Sequence, residues 1–226
     1  MANQLDLEEQ EQLDQLKHFW SRYGNLITGL LLVVLMGVAA WNGYHYWQRS
    51  QATQAAAMFD EMSKSVAAGD TAMAQRTFSD MKERFGAASY THQAGLALAK
   101  LSMDKGELDV AKTALQWVAD KSGDEGYVAI ARLRLAAIYV DAKDYGQAAA
   151  VLDSVKAEGF AALVLDRRGD VFMMQDKRAQ ALSAYLSAYQ KLDERSQYRR
   201  VVLVKLNALG AEPDAADKAK LTQEVK

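Results

Sequence analysis

Residues 105–118 read KGELDVAKTALQWV, and the same arrangement returns three times: AGDTAMAQRTFSDM at 68–81, AKDYGQAAAVLDSV at 142–155 and MQDKRAQALSAYLSA at 174–188. Aligned on the small residue after each polar turn, the segments give Ala74, Ala111, Ala148 and Ala181, separated by 37, 37 and 33 residues. Four residues later comes a large side chain, Phe78, Leu115, Leu152 or Tyr185, and three beyond that Met81, Val118, Val155 or Ala188. Twelve residues upstream stand Met62, Ala99, Ala136 and Gly169. Self-similarity at this period marks stacked supersecondary units. Two antiparallel helices approach closely only where small residues let their backbones meet, and bulky positions one turn on fill the gap. One hairpin cannot bury its own apolar face, so hairpins stack into a solenoid. The polar segments 68–70, 104–107 and 142–145 are turns with Asp or Gly as caps. The spacing predicts helical hairpins over 51–86, 88–122, 124–157 and 158–191, a closing helix over 198–209, and a frayed tail from Glu212, which holds the single proline, Pro213.

Composition agrees with an all-α chain. Of 226 residues, 50% are hydrophobic and 25% charged, which excludes a disordered or collagen-like polymer. One Pro and 14 Gly supply too few turns for a β-sandwich or barrel. The lack of cysteine removes disulfides, thiolate metal sites and cysteine nucleophiles, and leaves the redox compartment open.

Charge is unevenly laid out. Residues 1–22 carry Lys17 and Arg22 against Asp6, Glu8, Glu9, Glu11 and Asp14, residues 23–48 carry no charged side chain, and residues 50–226 hold 24 basic and 24 acidic ones. No basic excess means no electrostatic footprint for nucleic acid. The uncharged window contains LITGLLLVVLMGVAAW at 26–41, flanked by Trp20 and Tyr23 on one side and Trp41, Tyr44, Tyr46 and Trp47 on the other. That is a single transmembrane helix with interfacial aromatic belts, in contact with the lipid bilayer. A cleaved signal peptide would not have so long an acidic preamble. The basic residues on the two sides nearly balance, and Lys17 and Arg22 tip the amino terminus toward the cytoplasm. Within the span Gly29, Val33, Gly37, Ala40 and Tyr44 share a face of small residues on which another transmembrane helix can dock. Leu13, Leu16 and Trp20 mark a short amphipathic helix lying on the lipid surface or docking a cytosolic partner.

Motifs for chemistry are missing. His18, His45 and His92 have no second ligand at metal-binding spacing, no HExxH occurs, and no glycine-rich loop ends in Lys-Ser or Lys-Thr. Asp166 and Asp170 form an i, i+4 pair, but Arg167 and Arg168 between them make it a charged helix face. No cofactor, metal, small-molecule substrate or catalytic residue is expected.

The small–large spacing resembles tetratricopeptide repeats, without the usual proline between units. The order of parts, EQLDQLKHFWSRYGNLITGLLLVVLMG at 11–37, the exit YHYWQRS at 44–50, and KAEGFAALVLDRRGDVFMMQDKRAQALSAY at 156–185, is similar to the YfgM-type ancillary subunits of the bacterial SecYEG translocon. The segment from Pro213 to Lys226 has no counterpart in that pattern. The resemblance implies an inner-membrane protein with a cytoplasmic tail over 1–22, a span over 23–48, a periplasmic repeat domain over 49–210 and a flexible tail over 211–226. It also implies as partners the SecYEG translocon, a membrane-anchored parvulin-type periplasmic chaperone, and newly exported client proteins.

In such solenoids the first helix of each hairpin lines the concave face. That face should collect Phe59 and Val66, then Leu96, Lys100 and Met103, then Ile130, Leu133, Ala137 and Val140, and finally Leu163, Asp166, Asp170, Met173 and Met174. The competing reading packs many of these against the next hairpin. Two function classes follow: a membrane-tethered, non-enzymatic adaptor or chaperone beside the translocon, or a structural scaffold subunit of another cell-envelope complex serving secretion, division or outer-membrane assembly.

Overall fold

The structure is a computed structural model and describes residues 7–213. The start of the acidic tail and the segment 214–226 lie outside the described residues. The chain divides into two compact units at the Thr53–Gln54 bond.

The described residues of the first unit form a single helix. Helix α1 runs from Leu7 to Ala67. It contains one stretch long and apolar enough, by length and composition, to cross a membrane. That stretch is bare: Leu26, Leu30, Leu35 and Met36 are each more than 60% exposed. The amphipathic segment around Leu13, Leu16 and Trp20 is not a separate helix, because no capping motif or proline interrupts the run. Gly24 is covered by the Trp20 ring, which an added Cβ would meet at 3.2 Å. For the same reason the first hairpin has no helix start of its own at residue 51; its first arm is the end of α1.

The second unit stacks antiparallel helices in chain order. They are α2 (Thr71–Phe85), α3 (Ser89–Asp104), α4 (Leu108–Lys121), α5 (Glu125–Asp141), α6 (Tyr145–Asp153), α7 (Ala161–Met174), α8 (Arg178–Lys191) and α9 (Gln197–Ala208), with a short 3-10 turn at Glu158–Phe160. Every aligned small residue is buried: Ala74, Ala111, Ala148 and Ala181 are 0% exposed, and so are Met62 and Ala99 opposite them. Bulk is exchanged across each contact. Where the large partner is Tyr185, the facing residue is Gly169, and a Cβ there would strike the tyrosine ring. Val155 departs from the pattern, since it follows the end of α6 and is only half-buried.

The backbone repeats as faithfully as the side chains. Gly69, Gly106, Lys143 and Asp176 are left-handed, with φ of 71°, 76°, 60° and 59°, and each lies five residues before its small contact residue. In each turn the next amide donates back to a carbonyl five residues earlier: Asp70 to Ser65, Glu107 to Ser102, Asp144 to Tyr139 and Lys177 to Phe172. This is the Schellman closure of a helix end. Asp70 and Asp144 then cap the next helix through Met73 N and Gln147 N at 2.9 and 3.0 Å. The shorter last period has a local cause. Helix α6 stops after nine residues, where Ser154 bonds the Val151 carbonyl through Oγ at 2.6 Å and Arg132 Nη1 takes the Ser154 carbonyl at 2.5 Å.

Candidate protein-binding groove

The residues expected on the concave face divide into three groups. Phe59, Val66, Met103 and Ile130 are half-buried against the large apolar cluster that runs from the end of α1 to α5, and Leu96, 9% exposed, is part of that cluster. Leu133 and Val140 pack similarly against the cluster of α5, α6 and α7. Leu163 is half-buried on α7, Lys100 is exposed and paired with Asp104 at 2.7 Å, and Met174 is 61% exposed. The structure brings the carboxy-terminal set together. Ala137, Val140 and Asp141 of α5 face Arg167, Asp170, Met173 and Met174 of α7 across a cleft of about 400 Å³, with Tyr185 of α8 and Lys205 of α9 at its side. Methionine lets such a wall adapt to side chains of different shape.

Asp166 requires a correction: it is 0% exposed and does not face the groove. Its carboxylate accepts from Lys205 Nζ at 2.7 and 2.9 Å and from Tyr198 OH at 2.6 Å, both on α9. Asp170, one turn on, accepts from Lys205 Nζ and from Tyr185 OH, each at 2.7 Å, and from Arg167 Nη1 at 3.0 Å. The Asp166–Asp170 pair is therefore not a solvated helix face. It is the seam that fixes α9 onto α7, neutralised by Lys205 and Arg167. A carboxylate buried without such donors would be strongly unfavourable. Burial, and next the hydrogen bonds to Asp170 and Asp166, push both tyrosine hydroxyls, Tyr185 and Tyr198, well above their ordinary pKa, so they remain donors.

Two partners of this seam escaped sequence reasoning. Lys205 and Tyr198 sit on the closing helix, 39 and 32 residues from Asp166, and only the lone lysine in VVLVKL hinted at the contact. Arg134 of α5 was missed as well; half-buried, it reaches α3, where its Nη1 donates to the Leu96 carbonyl at 2.8 Å. On α1, the stripe Gly29, Val33, Gly37 and Ala40 is exposed throughout, and a Cβ added at Gly29 or Gly37 would meet nothing within 4 Å.

Comparison with known proteins agrees with this architecture. The family described as tetratricopeptide repeat-like domain matches residues 17–211. A protein of Neisseria gonorrhoeae named ancillary SecYEG translocon subunit is 30% identical over 204 residues, covering 90% of this chain and 98% of its own. Proteins of the same name from Escherichia coli K12 and Haemophilus influenzae are 31% and 28% identical, over 89% and 90% of this chain and 96% and 98% of theirs.

Proposed function

This chain belongs to the tetratricopeptide repeat-like family of YfgM-type ancillary SecYEG translocon subunits, and on that premise we propose that it is a membrane-anchored, non-enzymatic adaptor of the translocon. The observation that carries the proposal is the end-to-end match to proteins of that name, spanning the apolar part of α1 and the solenoid together. In this reading residues 1–22 are cytoplasmic, 23–48 cross the inner membrane with the stripe from Gly29 to Ala40 against another helix, and 49–210 are periplasmic. The concave groove, centred on the cleft between α5 and α7, holds a segment of a periplasmic chaperone or of a newly exported chain. The apolar walls of that cleft and its mixed charged rim support a protein segment as occupant.

The test is co-purification of the full chain from gently solubilised membranes. Recovery with the translocon, and with a periplasmic chaperone that is lost when Met173→Glu and Leu133→Glu are combined, is the expected result. Recovery with a different envelope assembly and no translocon would assign the chain to a scaffold role instead. Protease added to spheroplasts should degrade the repeats; repeats that resist until the inner membrane is broken reverse the orientation.

A further inference from the structure

Successive hairpins place an arginine at the same point of their first helices. Arg134 stands two residues before Ala136 on α5, and Arg167 two residues before Gly169 on α7, and Ala136 and Gly169 are equivalent contact positions of the repeat. Their electrostatic company differs. Arg167 pairs with Asp170 at 3.0 Å; burial pulls its pKa down, and Tyr198, Asp170 and Asp166 more than reverse that. Arg134 donates to one neutral acceptor, the Leu96 carbonyl, and among the described residues no carboxylate pairs with it. Burial alone acts on its pKa, downward. The repeat alignment gives the reason: the positions that hold Asp166 and Asp170 on α7 hold Leu133 and Ala137 on α5.

A guanidinium keeps its charge at physiological pH and offers five donors in a fixed fork. Half-buried, with one backbone acceptor, it lacks the counter-ion that charges removed from water require. Arg134 lies one turn from both Ile130 and Ala137 and reaches across to α3. It therefore bridges the first helices of two hairpins, one turn along α5 from Ala137, which lines the cleft. We infer that Arg134 is a carboxylate-docking point: it receives an Asp or Glu side chain of the partner segment in the groove, while apolar neighbours of that side chain enter the cleft between α5 and α7. The inference rests on the groove reading above and adds the chemistry of the occupant, an apolar segment with an acidic residue. Paired arginine–carboxylate hydrogen bonds supply both strength and orientation.

The experiment measures fluorescence anisotropy of labelled, end-blocked nonapeptides of leucine, alanine and serine with the full chain in detergent. One glutamate is moved through the positions, and each peptide is matched by its glutamine counterpart. At the best position, glutamate should bind at least tenfold more tightly than glutamine. Arg134→Gln should erase the preference and Arg134→Lys should restore part of it. Arg76→Gln, on the exposed side of α2 away from the groove, should leave it intact. Equal binding of glutamate and glutamine peptides to the unaltered chain overturns the inference and leaves the groove reading standing. A preference that survives Arg134→Gln in a folded chain moves the carboxylate elsewhere and also overturns it. Failure of every peptide to bind removes the groove reading and the inference with it. If Arg134→Gln does not fold, Arg134→Lys decides: a glutamate preference undiminished in that variant overturns the inference.

Discussion

The two halves of the repeat unit solve the same packing problem with different materials. From the end of α1 to α5 there is one continuous apolar cluster, with Met62, Phe78, Met81, Leu98, Leu115 and Val118 all buried, and its hairpin turns use glycine at the left-handed position. From α5 to α9 the apolar clusters are smaller and separate, the left-handed turn positions are Lys143 and Asp176, and a charged network joins α7 to α9. The difference teaches what a solenoid end requires. An internal hairpin is covered on both sides by neighbours, whereas the last one must be closed by a helix that buries little of its own. Directional bonds hold α9 in a single register where nonspecific apolar contact would let it slide.

The largest expected effect comes from breaking that network. Lys205→Met leaves the fully buried Asp166 with Tyr198 as its only donor on α9. Removing one partner of a buried ion pair typically costs about 3–5 kcal/mol. Denaturant unfolding of Lys205→Met should show such a loss, together with detachment of α9 detected by hydrogen exchange. A loss below about 1 kcal/mol would mean that apolar packing of Val202 and Leu206 holds the closing helix, and the two halves would then not differ in kind.

Next in size is overpacking at the small contact residues, where the halves should behave alike. Ala111 and Ala148 are each 0% exposed. Leucine in either place should cost about 1–3 kcal/mol, measured against Ala150→Leu on the exposed side of α6. Sensitivity at Ala111 alone would mean that the thinner carboxy-terminal half yields rather than resists.

These two predictions differ in how visible their basis is in the sequence. The contact alanines could be aligned because a helix–helix crossing leaves a local signature, a small residue and a large one four apart, that repeats with each hairpin. The Asp166–Lys205 seam has no such signature. A carboxylate pair followed by arginines looks the same on a solvated helix as under a closing one, and what decides is tertiary contact across 39 residues. Arg134 was hidden likewise, because its meaning lies in the absence of acids at Leu133 and Ala137. The continuity of α1 was obscured by reading a membrane span and a hairpin arm as separate parts. The early end of α6 depends on hydrogen bonds of Ser154 and Arg132 that no periodicity encodes.

A smaller effect of opposite sign should come from the turns. Lys143 and Asp176 adopt the left-handed backbone that side chains with a Cβ disfavour. Lys143→Gly and Asp176→Gly should each stabilise by about 0.5–1 kcal/mol, the relief of steric strain less the added freedom of the unfolded chain. Gly69→Ala and Gly106→Ala should destabilise by a similar amount. Matching signs at all four turns would contradict the division between glycine-turned and side-chain-turned halves.

The smallest effect is a pH dependence confined to the amino-terminal half. His92 is 3% exposed on α3, its ring 5.6 Å from Trp117 and 5.9 Å from Tyr127, and its Nε2 has no hydrogen-bond partner. Burial holds its pKa below the ordinary value of 6.5, against the opposing influence of Asp124 and a hydrogen bond to Gly86. Above 6.5 the ring is neutral whether the chain is folded or unfolded, and stability is at its full value. As pH falls through 6.5 the unfolded chain takes up the proton first, so stability is lost down to the lower folded-state pKa. The unfolding midpoint of the chain should therefore decline on acidification below about 6.5, and His92→Phe should flatten the decline in that window. The two perturbed tyrosines of the other half, Tyr185 and Tyr198, are shifted upward and stay protonated there. A decline that persists unchanged in His92→Phe would show that His92 is not the acid-sensitive group.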